Sequence, residues 1–317
     1  MALSIGNLLP LAVATTWLRP LWMVGLAAAA AVVLLMLALF LLRLVAPKVA
    51  AIAWTTGKEA VSQPLFYVLL AIGAFALIFL FPFLPYNTFG EDVKVVKETG
   101  LTLIMVLSII LALWTASVSI AEELEGRTAL TLLSKPIGRR QFIVGKFLGI
   151  LGPIVILFIV LGALFLSSVS YKVAYDARET SQPDPTWDQC RDEMVQIAPG
   201  LELAFLEAVV MAAVSVAIST RLPMLPNLVI CASIYVLGHL VPMLANSAVG
   251  RFPMVPFIAD LLSTILPALD HFNIYGAIST GQPVPAWYLL WATIYCVLYS
   301  TVAMLVALLM FEDRDLA

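Results

Sequence analysis

The sequence predicts an all-α fold: a polytopic membrane helix bundle with about seven transmembrane helices. Three observations predict it. Hydrophobic residues make up 62% of the 317-residue chain and charged ones only 12%, with a mean hydropathy of +1.03. A soluble domain holds roughly 25% charged residues, and a soluble protein this apolar would leave large patches in water. Apolar runs of the length that crosses a bilayer core of roughly 30 Å recur along the chain. Finally, basic residues concentrate in one loop between two such runs, as they do on the inner face of a membrane.

Residues 1–20 carry a single basic residue, Arg19, and lack the basic start of a signal peptide. Leu21 to Leu42 forms the first span, about 33 Å long at 1.5 Å per residue. Arg43 and Lys48 follow it and place this end inside, so residues 1–48 read as one N-terminal membrane segment. Residues 49–63 are amphipathic and too polar to span. Trp54, Lys58 and Glu59 there suit a helix lying in the interface, with the indole at headgroup depth. The second to fourth spans are Leu65 to Leu84, Leu101 to Ile120 and Phe147 to Ser170. The fifth to seventh are Leu201 to Ser219, Asn227 to Leu244 and Trp287 to Phe311.

Two connecting regions are distinctive. Residues 171–200 are polar, acidic and Pro-containing, and are expected to form a solvated outer loop. Residues 245–286 are apolar but broken by Pro253, Pro256, Pro267, Pro283 and Pro285, which predicts short external helices or a re-entrant hairpin. With this topology ten of the seventeen Lys and Arg lie inside.

The densest of the inner segments is 121–146. Glu122, Glu123 and Glu125 come first, where a helix dipole favours anions. Ala129, Leu132 and Leu133 then supply an apolar face at i, i+3, i+4 spacing. Pro136 and Gly138 stop the helix, and Arg139, Arg140 and Lys146 follow.

The series Glu122-Glu-Leu-Glu-Gly-Arg-Thr128, Leu132-Leu-Ser-Lys-Pro-Ile-Gly-Arg139 and Gly145-Lys146-Phe147 resembles the coupling-helix loop of ABC-2-type ABC transporter permeases. The resemblance implies that 49–317 is an ABC-2 permease domain with a six-helix core, 49–63 its elbow helix, 121–146 its cytoplasmic coupling loop and 245–286 its external helices. The span in 1–48 is then an addition. It also implies a transport subunit, in the export direction, that docks a separate ABC ATPase and pairs with a second permease chain, identical or not, in the lipid bilayer of a bacterial inner membrane. Glu122, Glu123, Arg127, Arg139 and Arg140 would make rim ion pairs with that ATPase. Ala129, Leu132 and Leu133 would fill its groove, Gly126 and Pro136 would set the bends, and Thr128 and Lys146 complete the motif.

No phosphate-binding G-x-x-x-x-G-K-[ST] sequence occurs: Gly57-Lys58 is followed by Glu59, and Gly145-Lys146 by Phe147. ATP and magnesium are therefore expected on the partner, with no cofactor and no catalytic residue on this chain. The three cysteines, Cys190, Cys231 and Cys296, and the two histidines have no metal-ligand spacing, and no basic tract suits nucleic acid. Ionisable residues inside spans are costly and often functional; Glu207 and His239 are the candidates, with a satisfied structural carboxylate and a structural hydrogen bond as the plainer readings. A secondary transporter driven by an ion gradient predicts several mid-span carboxylates and internal repeats. A membrane-embedded enzyme predicts a His, Asp or Glu cluster at one membrane face. A non-transporting anchor that recruits a partner through 121–146 fits the same residues. Lipid, peptide, polysaccharide, drug and ion are all compatible as cargo with such apolar spans.

Overall fold

The computed structural model describes residues 16–83, 92–122, 138–180, 183, 185–245, 257, 261–262 and 265–312. Among these residues there are nine α-helices and no strand. They are α1 (Leu21–Val45), α2 (Pro47–Ser62), α3 (Pro64–Phe75), α4 (Asp92–Ala116) and α5 (Arg139–Glu179). The chain continues through α6 (Trp187–Ser219), α7 (Met224–Ala245), α8 (Tyr275–Thr280) and α9 (Ala286–Glu312). Two π-helical turns, Ala76–Leu80 and Ser117–Glu122, prolong α3 and α4.

Among the described residues five helices are long and apolar enough to cross a membrane: Thr16–Val45, Asp92–Ile120, Arg139–Glu179, Trp187–Ser219 and Ala286–Glu312. A sixth forms if the bent pair Pro47–Ser62 and Pro64–Leu80 counts as one span, and Met224–Leu240 is a shorter apolar helix. A helix thus stands at each of the seven expected spans. The 62° bend between α2 and α3 falls at Gln63, whose extended backbone (φ −70°, ψ 140°) is the conformation a following proline imposes.

Burial orders the layers. In their most apolar windows α4 and α6 are each 72% buried, α5 44%, α9 33% and α1 only 6%. The core is therefore α4, α5 and α6, with α9 closing one side. α1 stands at the periphery against α2 and α5, apolar all round, with exposed Val33, Leu34 and Met36, as expected of a helix covered by lipid or by another helix.

The expected elbow helix, α2, buries Val49, Ala53, Thr56 and Ala60 and turns Trp54, Lys58 and Glu59 outward. It can press on α5 because Gly145, Gly149 and Gly152 line the facing stripe. A Cβ at Gly149 would sit 2.6 Å from Thr56 Cβ and 2.8 Å from the Ala53 carbonyl oxygen. The carbonyl is backbone and cannot swing away. Gly149→Val is therefore expected to cost about 1–3 kcal/mol by overpacking. Thermal unfolding in detergent checks this against Gly25→Ala in α1, where a Cβ meets nothing within 4 Å.

The segment 171–200 corrects the expectation of a solvated loop. α5 runs to Glu179 and α6 begins at Trp187, so the segment is mostly two helical extensions. The 41 residues of α5 reach about 60 Å, roughly twice the bilayer core. The extensions persist because they bury side chains. Cys190, Met194 and Ile197 repeat at helical spacing on α6, and Lys172 is fully enclosed. The Thr186 backbone N–H donates to the Gln189 side-chain oxygen at 2.9 Å and caps the start of α6. Cys190, read as a loop residue, is buried.

Of the region 245–286, the described part holds a 3₁₀ turn, Leu269–Phe272, and α8, closed by Gly281 in the left-handed conformation (φ 67°). Short helical elements are thus present there, and the rest of 246–264 lies largely outside the described residues. Tyr288, Tyr295 and Tyr299 share one face of α9 and hold this segment. Their hydroxyls donate to the His271 carbonyl (2.6 Å) and the Ile265 carbonyl (3.2 Å), and Tyr295 accepts from the Ala268 N–H (2.8 Å).

Candidate functional site

One end of the bundle gathers the residues that flank the charged loop. There α4 ends in the π turn Ser117–Glu122 and α5 begins at Arg139. Most of the expected coupling residues (Glu123, Gly126, Arg127, Thr128, Ala129, Leu132, Leu133 and Pro136) lie outside the described residues, as does the Glu122 side chain. The flanks are described. Arg139 and Arg140 are exposed on the first turn of α5, and Arg139 Nη1 donates to the Glu312 carbonyl at 2.8 Å, joining α5 to the end of α9. Phe142 stacks on Phe311 at 5.9 Å beside that bond. Lys146 is only 4% exposed, its Nζ 5.6 Å above the Phe142 ring one turn back. It packs into the bundle end and is not presented at the surface with the two arginines.

Sequence reasoning missed the residue that ties this end together. Asn227, fully buried near the start of α7, brings Nδ2 within hydrogen-bond distance of the hydroxyls of Ser117 (2.7 Å), Ser215 (2.9 Å) and Ser219 (2.9 Å), and its two N–H groups donate to two of the three at a time. Cys231 Sγ donates to its Oδ1 at 3.3 Å. Ser117 in turn donates to the Leu113 carbonyl. The knot joins the π turn that leads into the loop to α6 and α7. Among the described residues the Thr115 and Ser119 hydroxyls on the same stretch are buried without a hydrogen bond. A π turn wastes the regular i−4 pairing and is often found where a helix serves function. Serines four residues apart on α6 and an Asn just after Pro226 mark polar positions on these helices, but their spacing does not show that they meet each other or Ser117.

The second place is inside the bundle. Glu207 on α6 and His239 on α7, named separately from the sequence, are brought together: His239 Nε2 lies 3.5 Å from Glu207 Oε1. Glu207 is 1% exposed. The pair lines a cavity of 80 Å³ between α4, α6, α7 and the 272–274 segment.

A polar group stands at the opposite end. Lys172 Nζ pairs with Asp92 Oδ2 at 3.2 Å, and Lys97 pairs with Glu193. Asp92, Asp176 and Glu179 bring carboxylate oxygens within 4.8 Å of one another, with Lys172 beside them. Ser170 and Tyr171 hold the turn Thr16–Leu18 through the Trp17 carbonyl (2.9 Å) and ring (5.3 Å).

Together the apolar helices, the polar knot and the charged loop define an integral, multi-pass α-helical membrane protein built around a packed core. A family model described as ABC-2 family transporter protein matches residues 82–316. The chain belongs to that family, and it is a membrane permease of an ABC transporter, a transport subunit. The match leaves out α1, α2 and α3. Comparison with curated proteins finds no match.

Proposed function

We propose that this permease is an exporter subunit that takes its driving force from a separate ABC ATPase through the loop 121–146. Two permease chains and two ATPase chains would make the transporter, in a bacterial inner membrane, with ATP and magnesium held by the ATPases alone. The observation that carries this reading is the wiring of the loop's two ends. On one side the π turn Ser117–Glu122 is tied through Asn227 to α6 and α7. On the other, Arg139 is tied to the end of α9. A displacement of the loop would therefore reach α4, α5, α6, α7 and α9 together, which is what alternating access requires of a coupling element. Ala129, Leu132 and Leu133 would supply the apolar contact with the ATPase, and Glu122, Glu123, Arg127, Arg139 and Arg140 its register. Gly126 and Pro136 would set the bends.

The test is co-expression with the cognate ATPase, comparing wild type with the double variant Leu132→Asp/Leu133→Asp. Wild type should retain the ATPase through purification and stimulate ATP turnover; the variant should lose both while its own yield and size-exclusion profile stay unchanged. A well-folded wild-type chain that retains no ATPase would overturn the coupling role and favour a gradient-driven or anchoring protein instead.

A further inference from the structure

We propose that the cavity beside Glu207 and His239 is a binding site for a protonated amine. The argument starts from hydrogen-bond sense. His239 Nδ1 lies 3.2 Å from the Tyr235 carbonyl, which only accepts, so Nδ1 carries the proton in that contact. In the neutral ring Nε2 is then an acceptor, and it faces Glu207 Oε1, a second acceptor, at 3.5 Å. Among the described residues Oε1 accepts no hydrogen bond, although Glu207 is 1% exposed. Two acceptors facing each other in a buried place need a donor between or beside them. An uncompensated buried carboxylate is costly; a proton on the pair supplies a donor, and a cation with N–H donors supplies both a donor and the counter-charge.

The cavity is suited to an ammonium group. Its 80 Å³ hold two or three waters, at about 30 Å³ each, or a small aliphatic ammonium head. Thr102, Tyr235, Asn273 and Phe272 also line it, so oxygen acceptors and aromatic rings, both favourable to R–NH₃⁺, surround the carboxylate. One carboxylate and one imidazole are too few for a hard or borderline metal, which takes four to eight ligands. An ammonium with three N–H donors can serve Glu207 Oε1 and His239 Nε2 at once. His239, 29% exposed at its side chain, gives the site its edge toward the surface. The site stands on these contacts alone and is independent of coupling through the 121–146 loop.

The experiment is equilibrium dialysis of radiolabelled ethylammonium against the purified full chain in detergent, with ethanol as uncharged competitor. Wild type should bind saturably and ethanol should not compete. Glu207→Gln should bind at least tenfold more weakly, Glu207→Asp should retain binding within a few-fold, and Glu202→Gln, exposed elsewhere on α6, should match wild type. Should Glu207→Gln fail to run as a folded protein, His239→Ala replaces it, with a several-fold loss expected from the missing second acceptor. No saturable binding to wild type, equal binding to Glu207→Gln, or equal competition by ethanol would each overturn the site and leave a proton as the group shared by the pair.

Discussion

Lys172→Met is expected to destabilise the protein by roughly 3–5 kcal/mol, the cost of leaving a buried ion pair without one partner. Lys172 is completely enclosed and its Nζ lies 3.2 Å from Asp92, itself only 5% exposed at the side chain. Tyr175 covers the ammonium at 5.2 Å. Removing the lysine leaves the carboxylates of Asp92, Asp176 and Glu179, with oxygens within 4.8 Å of one another, without the cation beside them. Asp92→Ala should cost less, because Asp176 and Glu179 remain near the ammonium. The double variant Lys172→Met/Asp92→Leu should recover most of the loss, since an apolar pair of similar volume often replaces a buried ion pair without penalty. Size-exclusion recovery after graded heating reads all three. A Lys172→Met protein as heat-resistant as wild type would show that the helical extensions are held by their apolar stripe alone.

Asn227→Ala should cost about 2–3 kcal/mol, from the two hydrogen bonds its N–H groups donate among the three serines, roughly 1 kcal/mol each, and from the buried Cys231 thiol and serine hydroxyls left short of a partner. Its functional effect should be larger than that figure suggests. The knot is the described link between the π turn at 117–122 and the helices α6 and α7, so under the proposed coupling its loss should leave the ATPase bound while turnover no longer responds to the permease. The comparison is Ser233→Ala on the exposed face of the same helix, whose hydroxyl only reaches the Val229 carbonyl four residues back. If Asn227→Ala and Ser233→Ala gave the same stimulated ATPase rate, transmission would have to run through the Arg139–Glu312 contact instead.

Much of this was legible without coordinates, for a simple reason. Crossing a bilayer demands apolar length, and that demand is written in composition and run length, so the helical class and the positions of the spans could be read directly. The amphipathic face of α2 was also legible, since its buried residues repeat at helical spacing. The glycine stripe that receives it, at Gly145, Gly149 and Gly152, means nothing until the partner helix is in place. The extensions at 171–200 were misread because a polar composition masked a stripe of Cys190, Met194 and Ile197 at a spacing of four and three. The coupling motif groups Lys146 with Arg139 and Arg140, although its distance of four residues from Phe142 already allowed it to lie over that ring.

The sequence by itself determined that this is an ABC-2-like, multi-pass α-helical protein with a charged loop between two spans, because hydrophobic length and motif spacing are local properties. Only the tertiary structure decided that Glu207 meets His239, that Lys172 finds Asp92 and that Asn227 gathers three serines from two other helices. Each joins residues 8 to 110 positions apart in the chain. In an apolar interior a polar group has no water to fall back on, so its partner is chosen by the packing of whole helices, which no local pattern records.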